Sequence, residues 1–250
     1  MGNSASGLLG ALSFLTRVPA RGVVANAVPW FPLIGGAIGL VLATVYALAA
    51  EILPSLVASS IAVVTGVLLT GALHEDGLAD TVDALGASDR ARRIEILKDP
   101  RLGTFGGLAL GSSLLVRVGA VAGMDAATAV AILPAAHALG RAAAVGLIAT
   151  IPVAREGVGA SYARSVSRRG TVWAILTGIA VAALSAGLWA LAALAVATAG
   201  AALVGRVAIR AFGGVTGDLL GAGEQVVETA VLLLGAAIAT NGWMDAAWWH

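Results

Sequence analysis

Cysteine is absent from this chain, which excludes disulfides, zinc–thiolate sites, iron–sulfur clusters and a thiol nucleophile. Charge is scarce as well. Only 12% of the 250 residues are Asp, Glu, Lys or Arg, against about 25% in soluble domains. The formal net charge is +1, so the chain lacks the basic excess of a surface that tracks phosphate backbones, and nucleic acid is excluded as a partner. What remains is apolar: 59% of the residues are hydrophobic and the mean hydropathy is +0.94. That composition belongs to an integral membrane protein.

Apolar runs close to the ~20 residues that cross a bilayer fall at 30–50, 56–73, 108–124, 127–151, 172–188, 190–209 and 226–241. The stretch 172–210 is too long for one span and divides on the Gly and Ser near 185–188. Residues 7–15 are apolar but short, with no basic residue ahead of them, and read as an interfacial or re-entrant helix. Basic residues set the orientation. They gather before the first span (Arg17, Arg21), in 90–101, between the fourth and fifth spans (Arg155, Arg164, Arg168, Arg169) and at Arg210. The intervening loops carry almost none. The expectation is an all-α, polytopic protein with about seven transmembrane helices, forming one integral membrane catalytic domain over 1–250. Its polar segments, 74–106, 153–170 and 211–224, face the cytoplasm, and Trp248 and Trp249 lie at the opposite interface.

Residues 71–107 have a different chemistry from the rest of the chain. They hold seven of the fourteen acidic residues and five of the fifteen basic ones. Asp76, Asp80 and Asp83 stand at i, i+4 and i+7, so a helix presents all three carboxylates on one stripe. Like charges at that density repel unless a cation lies among them, and oxygen-only ligands suit Mg²⁺ or Mn²⁺ better than zinc. The competing reading is a solvated acidic face. Against it stand Gly77 and Ala79, small residues that let a ligand approach the backbone.

Two arginines, Arg117 and Arg141, fall deep in predicted spans at matching depth. A guanidinium there costs roughly 2.5–3.5 kcal/mol on insertion scales, so each needs a polar cavity or an anionic partner. Phosphate oxygens in one shared cavity satisfy that need; pairing with acidic side chains is the alternative. His137, one turn before Arg141, reads as a packing residue. The Gly-rich island 213–224 opens the last helical region, where free backbone N–H groups can receive an anion and Asp218 and Glu224 can reach a metal. It lacks the Gly-Lys-Ser/Thr of a P-loop, and a flexible turn is its plainer interpretation.

In order and spacing these islands resemble the cobalamin synthase family, the adenosylcobinamide-GDP ribazoletransferases. The resemblance is carried by 74–83 (HEDGLADTVD), 94–107 (IEILKDPRLGTFGG), 14–19 (FLTRVP), 31–35 (FPLIG), Gly140-Arg141 and 214–222 (GVTGDLLGA). Departures from the family pattern are Glu75 at a usually hydrophobic position, Ala84 where glycine is common and Phe105 where histidine is frequent. The resemblance implies joining of adenosylcobinamide-GDP to α-ribazole or its 5′-phosphate with release of GMP, a magnesium requirement (with Mn²⁺ as an alternative ion), and a multi-pass protein of the cell inner membrane. On this reading Asp76, Asp80 and Asp83 are the catalytic metal ligands, with Asp80 or Asp83 doubling as base. Glu95, Asp99 and Asp218 are second-rank acidic candidates, and Lys98, Arg101, Arg117 and Arg141 bind phosphate. A CDP-alcohol phosphatidyltransferase fits less well, because Asp80 follows Ala79 directly and the second half of that motif is missing. A divalent cation transporter fits less well, because the acidic residues concentrate in a polar segment rather than at mid-membrane. The sequence carries no signal of oligomeric state.

Overall fold

A computed structural model describes residues 4–21, 26–154 and 167–243. The described residues form helices and turns with no β-strand. In chain order they are α1 (Ser4–Leu15), a 3₁₀ turn (Val28–Trp30) running into α2 (Phe31–Ala50), α3 (Ser55–Thr70), α4 (Leu73–Leu85), α5 (Arg90–Ile96), α6 (Thr104–Ala122) and α7 (Ala126–Thr150). Then follow α8 (Arg168–Ala186), α9 (Trp189–Val207) with a π-helical extension (Ala208–Phe212), and α10 (Gly217–Thr240). Six of these elements are long and apolar enough to cross a membrane, and a seventh crossing results if α3 and α4 are counted as one broken span. Arg155 and Arg164 of the predicted 153–170 loop, and the C-terminal Trp248 and Trp249, lie outside the described residues.

The bundle is arranged around α7, the most buried of the spans. Asp125 caps its first turn, accepting from the Thr128 amide at 2.7 Å. In a bilayer no hydrophobic drive separates helix from lipid, so close backbone packing does the work of association. Gly35 and Gly39, one turn apart on α2, supply it. A side chain at either position would collide with α7, at the carbonyls of His137 and Leu133. Leu48, Leu68, Leu115, Leu184 and Leu191 remain exposed on the outside of the bundle, as a lipid-facing surface requires.

Three sequence boundaries move. The second predicted span, 56–73, ends at Thr70 because Gly71 and Ala72 both adopt left-handed backbone, with φ of 65° and 59°. α4 leaves that corner at 89° to α3. The acidic segment contains two helices, α4 and α5, and the three aspartates share the first of them. The last span begins at Gly217 instead of 226, so residues 217–224 of the Gly-rich island form its first two turns, and only 213–216 are turn. Glu224, Gln225 and Glu228 lower the local hydropathy and hide that beginning from a sequence scan.

Candidate functional site

α4 is amphipathic in an unusual sense, because both of its faces are polar. One face, with His74 and Glu75, is buried against α6 and α10. The other carries Asp76, which is exposed, and Asp80 and Asp83, which are half-buried. Glu75 and Asp76 occupy the first turn, where the helix dipole favours carboxylates. Gly77 sets how near α10 can come: a Cβ there would lie 2.7 Å from the carbonyl oxygen of Asp218. The glycine expected to admit a ligand instead admits a helix.

That contact places Asp76 and Asp218 on the wall of one cavity of about 330 Å³. It opens at the end of the bundle where α2 and α10 begin and α7 finishes. Phe14, Phe31, His74, Arg141 and Glu224 complete its polar and aromatic lining. The Asp76 side chain makes no hydrogen bond or ion pair with the described residues. The hydroxyl of Thr216, which caps α10 by accepting from the Leu219 amide at 3.3 Å, lies 3.4 Å from Asp218 Oδ2. Asp83 has another arrangement. Its two oxygens accept from the amides of Gly103 and Gly106, each at 2.8 Å, so it caps α6 from a neighbouring helix. Side chains on Gly103 or Gly106 would overlap this carboxylate.

Behind the cavity lies a buried polar network that ties four helices together. Arg117 of α6 donates to Glu75 of α4 at 2.8 Å and to Gln225 of α10 at 2.9 Å, and its second terminal nitrogen is 2.8 Å from Glu228. Arg141 of α7 bonds to Glu224, to Glu228 at 3.0 Å and to His137 Nδ1 at 2.9 Å. His137 also lies 2.8 Å from Glu228, and His74 stands 3.6 Å from Glu224. Three carboxylates thus surround two guanidinium groups. Such burial is costly for either sign alone and tolerable when the partners are satisfied together.

Of the predicted site residues, Asp76, Asp218 and Arg141 line the cavity, and Asp80 and Asp83 follow Asp76 along α4. Arg117 does not line it. Glu95 pairs with Arg92 at 2.7 Å, and Asp99 with Arg101 at 2.6 Å, on the exposed surface. The two hydrogen bonds from the Arg101 side chain hold the Asp99 carboxyl down to about 2. None of these four, nor the exposed Lys98, belongs to the cavity lining. Sequence reasoning misses Glu228 and treats His137 as packing alone. The signal is present in Glu224, Gln225 and Glu228, polar groups one turn apart on an otherwise apolar helix.

The donor set fits a hard divalent cation, because Asp76 and Asp218 offer oxygen from two facing helices and Asp76 has no protein partner among the described residues. The carboxylates of Asp76, Asp80 and Asp83 are not gathered round one point. Among the described residues, one group of three or more His and carboxylate side chains brings its ligand atoms within 4.8 Å of one another, namely His137, Glu224 and Glu228. Arg141 already fills it with positive charge. Magnesium commonly takes one or two carboxylates and completes its shell with water and substrate phosphates. A larger groove of about 590 Å³ between α7, α8 and α9 is apolar apart from Thr150, Thr198 and Arg206. It has no carboxylate and faces outward.

The fold and the cavity define a polytopic helical membrane protein with an acidic pocket at one end of its bundle. The chain belongs to the cobalamin-5-phosphate synthase family, which it matches over residues 7–236. It is 38% identical to an adenosylcobinamide-GDP ribazoletransferase of Ralstonia nicotianae, covering 89% of this chain and 91% of the relative. Proteins of the same description from Bradyrhizobium diazoefficiens (38% identity, 91% and 92% covered) and Azorhizobium caulinodans (42%, 81% and 80%) are similar to it. No solved structure matches.

Proposed function

We propose that this chain transfers the corrinoid phosphoryl group of adenosylcobinamide-GDP to α-ribazole or its 5′-phosphate, releasing GMP, in the last steps of cobalamin synthesis. Beyond the family itself, the reading rests on one observation: Asp76 and Asp218, from helices in backbone contact, face one cavity. The ribose hydroxyl attacks the corrinoid-proximal phosphorus. One P–O bond forms, the bond to the GMP oxygen breaks, and the hydroxyl proton leaves to a base. Such transfers are catalysed chiefly by positioning and by neutralising phosphate oxygens. Magnesium, when bound, neutralises charge on the diphosphate and on the departing GMP oxygen.

Asp76 and Asp218 are the groups best placed to hold that ion. Asp80, half-buried on the same stripe, is the candidate base. Asp83 has both oxygens committed to α6 amides, and its contribution is to fix the end of α4. Arg141 is the deep arginine with access to the cavity and supplies positive charge at its floor. A cavity of about 330 Å³ is at the low end for small-molecule sites. It accommodates the diphosphate and the attacking sugar, and the corrin macrocycle lies over its opening. The site faces the cytoplasm, where nucleotide-linked substrates and magnesium are found, and the protein resides in the inner membrane as one domain.

The test is GMP release by purified protein supplied with adenosylcobinamide-GDP, α-ribazole and magnesium. Release that depends on all three sustains the assignment. Absence of release from monodisperse, correctly inserted protein overturns it.

A further inference from the structure

Arg17 lies in a segment to which neither the cavity nor the buried network assigns a task. Its backbone is fixed: its amide donates to the Leu69 carbonyl at 2.7 Å, tying the end of α1 to the end of α3. The neighbouring Thr16 hydroxyl donates to Leu12 and accepts from Val18, which shapes the chain as it leaves α1. The side chain is directed by a corner. The Arg17 guanidinium occupies the space that a side chain on Gly71 would fill, and Gly71 is the left-handed residue, φ 65°, at which α3 breaks before α4. Glycine serves here twice, through its backbone freedom and through the room it leaves.

The position of Arg17 is equally specific. Two residues before it, Leu15 lines the acidic cavity, and two residues after Gly71, Leu73 lines it from the other side. Arg17 is exposed, so it stands at the rim rather than the floor. Of the other described arginines at this end of the bundle, Arg117 and Arg141 are engaged with glutamates, Arg92 and Arg101 with acidic neighbours, and Arg93 with the carbonyls of Ala87 and Ala211, while the Arg90 guanidinium packs against Gly213. Arg17 makes no ion pair or side-chain hydrogen bond with the described residues. A guanidinium held in place without an anion, at the edge of a cavity meant for phosphate esters, is prepared for a bidentate contact with phosphate oxygens.

We propose that Arg17 is a substrate-binding residue that receives a phosphate group at the rim of the cavity. This rests on the transferase reading above. The phosphate is either the diphosphate of the nucleotide-activated corrinoid or the 5′-phosphate of the ribazole nucleophile. Either way, Arg17 selects for an anion where Asp76 and Asp218 alone would repel one.

Steady-state kinetics of Arg17→Ala and Arg17→Gln test this, with α-ribazole as the phosphate-free nucleophile and α-ribazole 5′-phosphate as the charged one. The expected result is a rise of tenfold or more in KM for one phosphate-bearing substrate, with KM for α-ribazole within twofold of wild type. A rise for adenosylcobinamide-GDP assigns Arg17 to the diphosphate, and a rise for the ribazole phosphate alone assigns it to the nucleophile. Unchanged KM values, or equal rises with and without phosphate, overturn the proposal. Should Arg17→Ala fail to insert, Arg17→Gln, which keeps polarity and most of the length, answers the same question. Wild-type protein that releases no GMP would overturn the transferase reading itself, a different outcome from active protein indifferent to Arg17.

Discussion

Gly77 of α4 and Asp218 of α10 touch backbone to backbone, and a single methyl group on Gly77 would lie 2.7 Å from the Asp218 carbonyl oxygen. Because Asp76 and Asp218 both line the cavity, this contact sets the spacing of the two carboxylates. Gly77→Ala should therefore reduce GMP release by at least tenfold, while the chain still inserts, since displacement of a catalytic group by about an ångström is enough for such a loss. Wild-type turnover in Gly77→Ala would dissociate the helix contact from catalysis.

Asp76→Ala and Asp80→Ala are expected to abolish transfer at saturating magnesium, Asp76→Ala with little change in thermal stability, because the Asp76 side chain is exposed and makes no hydrogen bond or ion pair among the described residues. Activity near wild type in Asp80→Ala, measured as GMP release, would remove Asp80 from the reaction.

Asp83→Ala should behave differently from its two neighbours. It leaves the amides of Gly103 and Gly106 without acceptors, and lost helix caps cost about 0.5–2 kcal/mol. Thermal unfolding in detergent, read beside activity, should show the midpoint of Asp83→Ala falling below that of Asp76→Ala.

Arg117→Leu leaves Glu75 and part of Glu228 buried without a counter-charge, and breaking such a pair costs about 3–5 kcal/mol. Glu75→Leu in the same molecule should recover part of the loss, since an apolar pair no longer strands a carboxylate. A thermal-shift double-mutant cycle measures this. No coupling between the two sites would mean that the contact at 2.8 Å is energetically idle.

Topology has a direct test in a chain without cysteine. Cysteines at the exposed positions Ser88 and Ser167 should react with an impermeant maleimide only when the cytoplasmic side is open to it. In the third polar segment the exposed Gly217 serves the same purpose, whereas its neighbour Thr216 is buried and caps α10. Labelling of any of these from outside intact cells would reverse the orientation.

The helical, membrane-spanning character of this protein is legible in residue order alone, because apolar runs of bilayer length and a shortage of charge leave few other solutions. So is the acidic stripe, since 3.6 residues per turn places Asp76, Asp80 and Asp83 together wherever the helix lies. What each carboxylate faces is not. Asp83 became the cap of α6 because α6 begins 20 residues later without a side chain of its own to cap it. Arg117 found Glu75 across 42 residues and Gln225 across 108, and Arg141 found Glu224 and Glu228 across more than 80. Residue order shows that a buried arginine must have a partner. Which partner it takes follows from helix approach, set by small residues such as Gly39 and Gly77 that admit a neighbouring backbone, and helix approach exists only in the folded bundle.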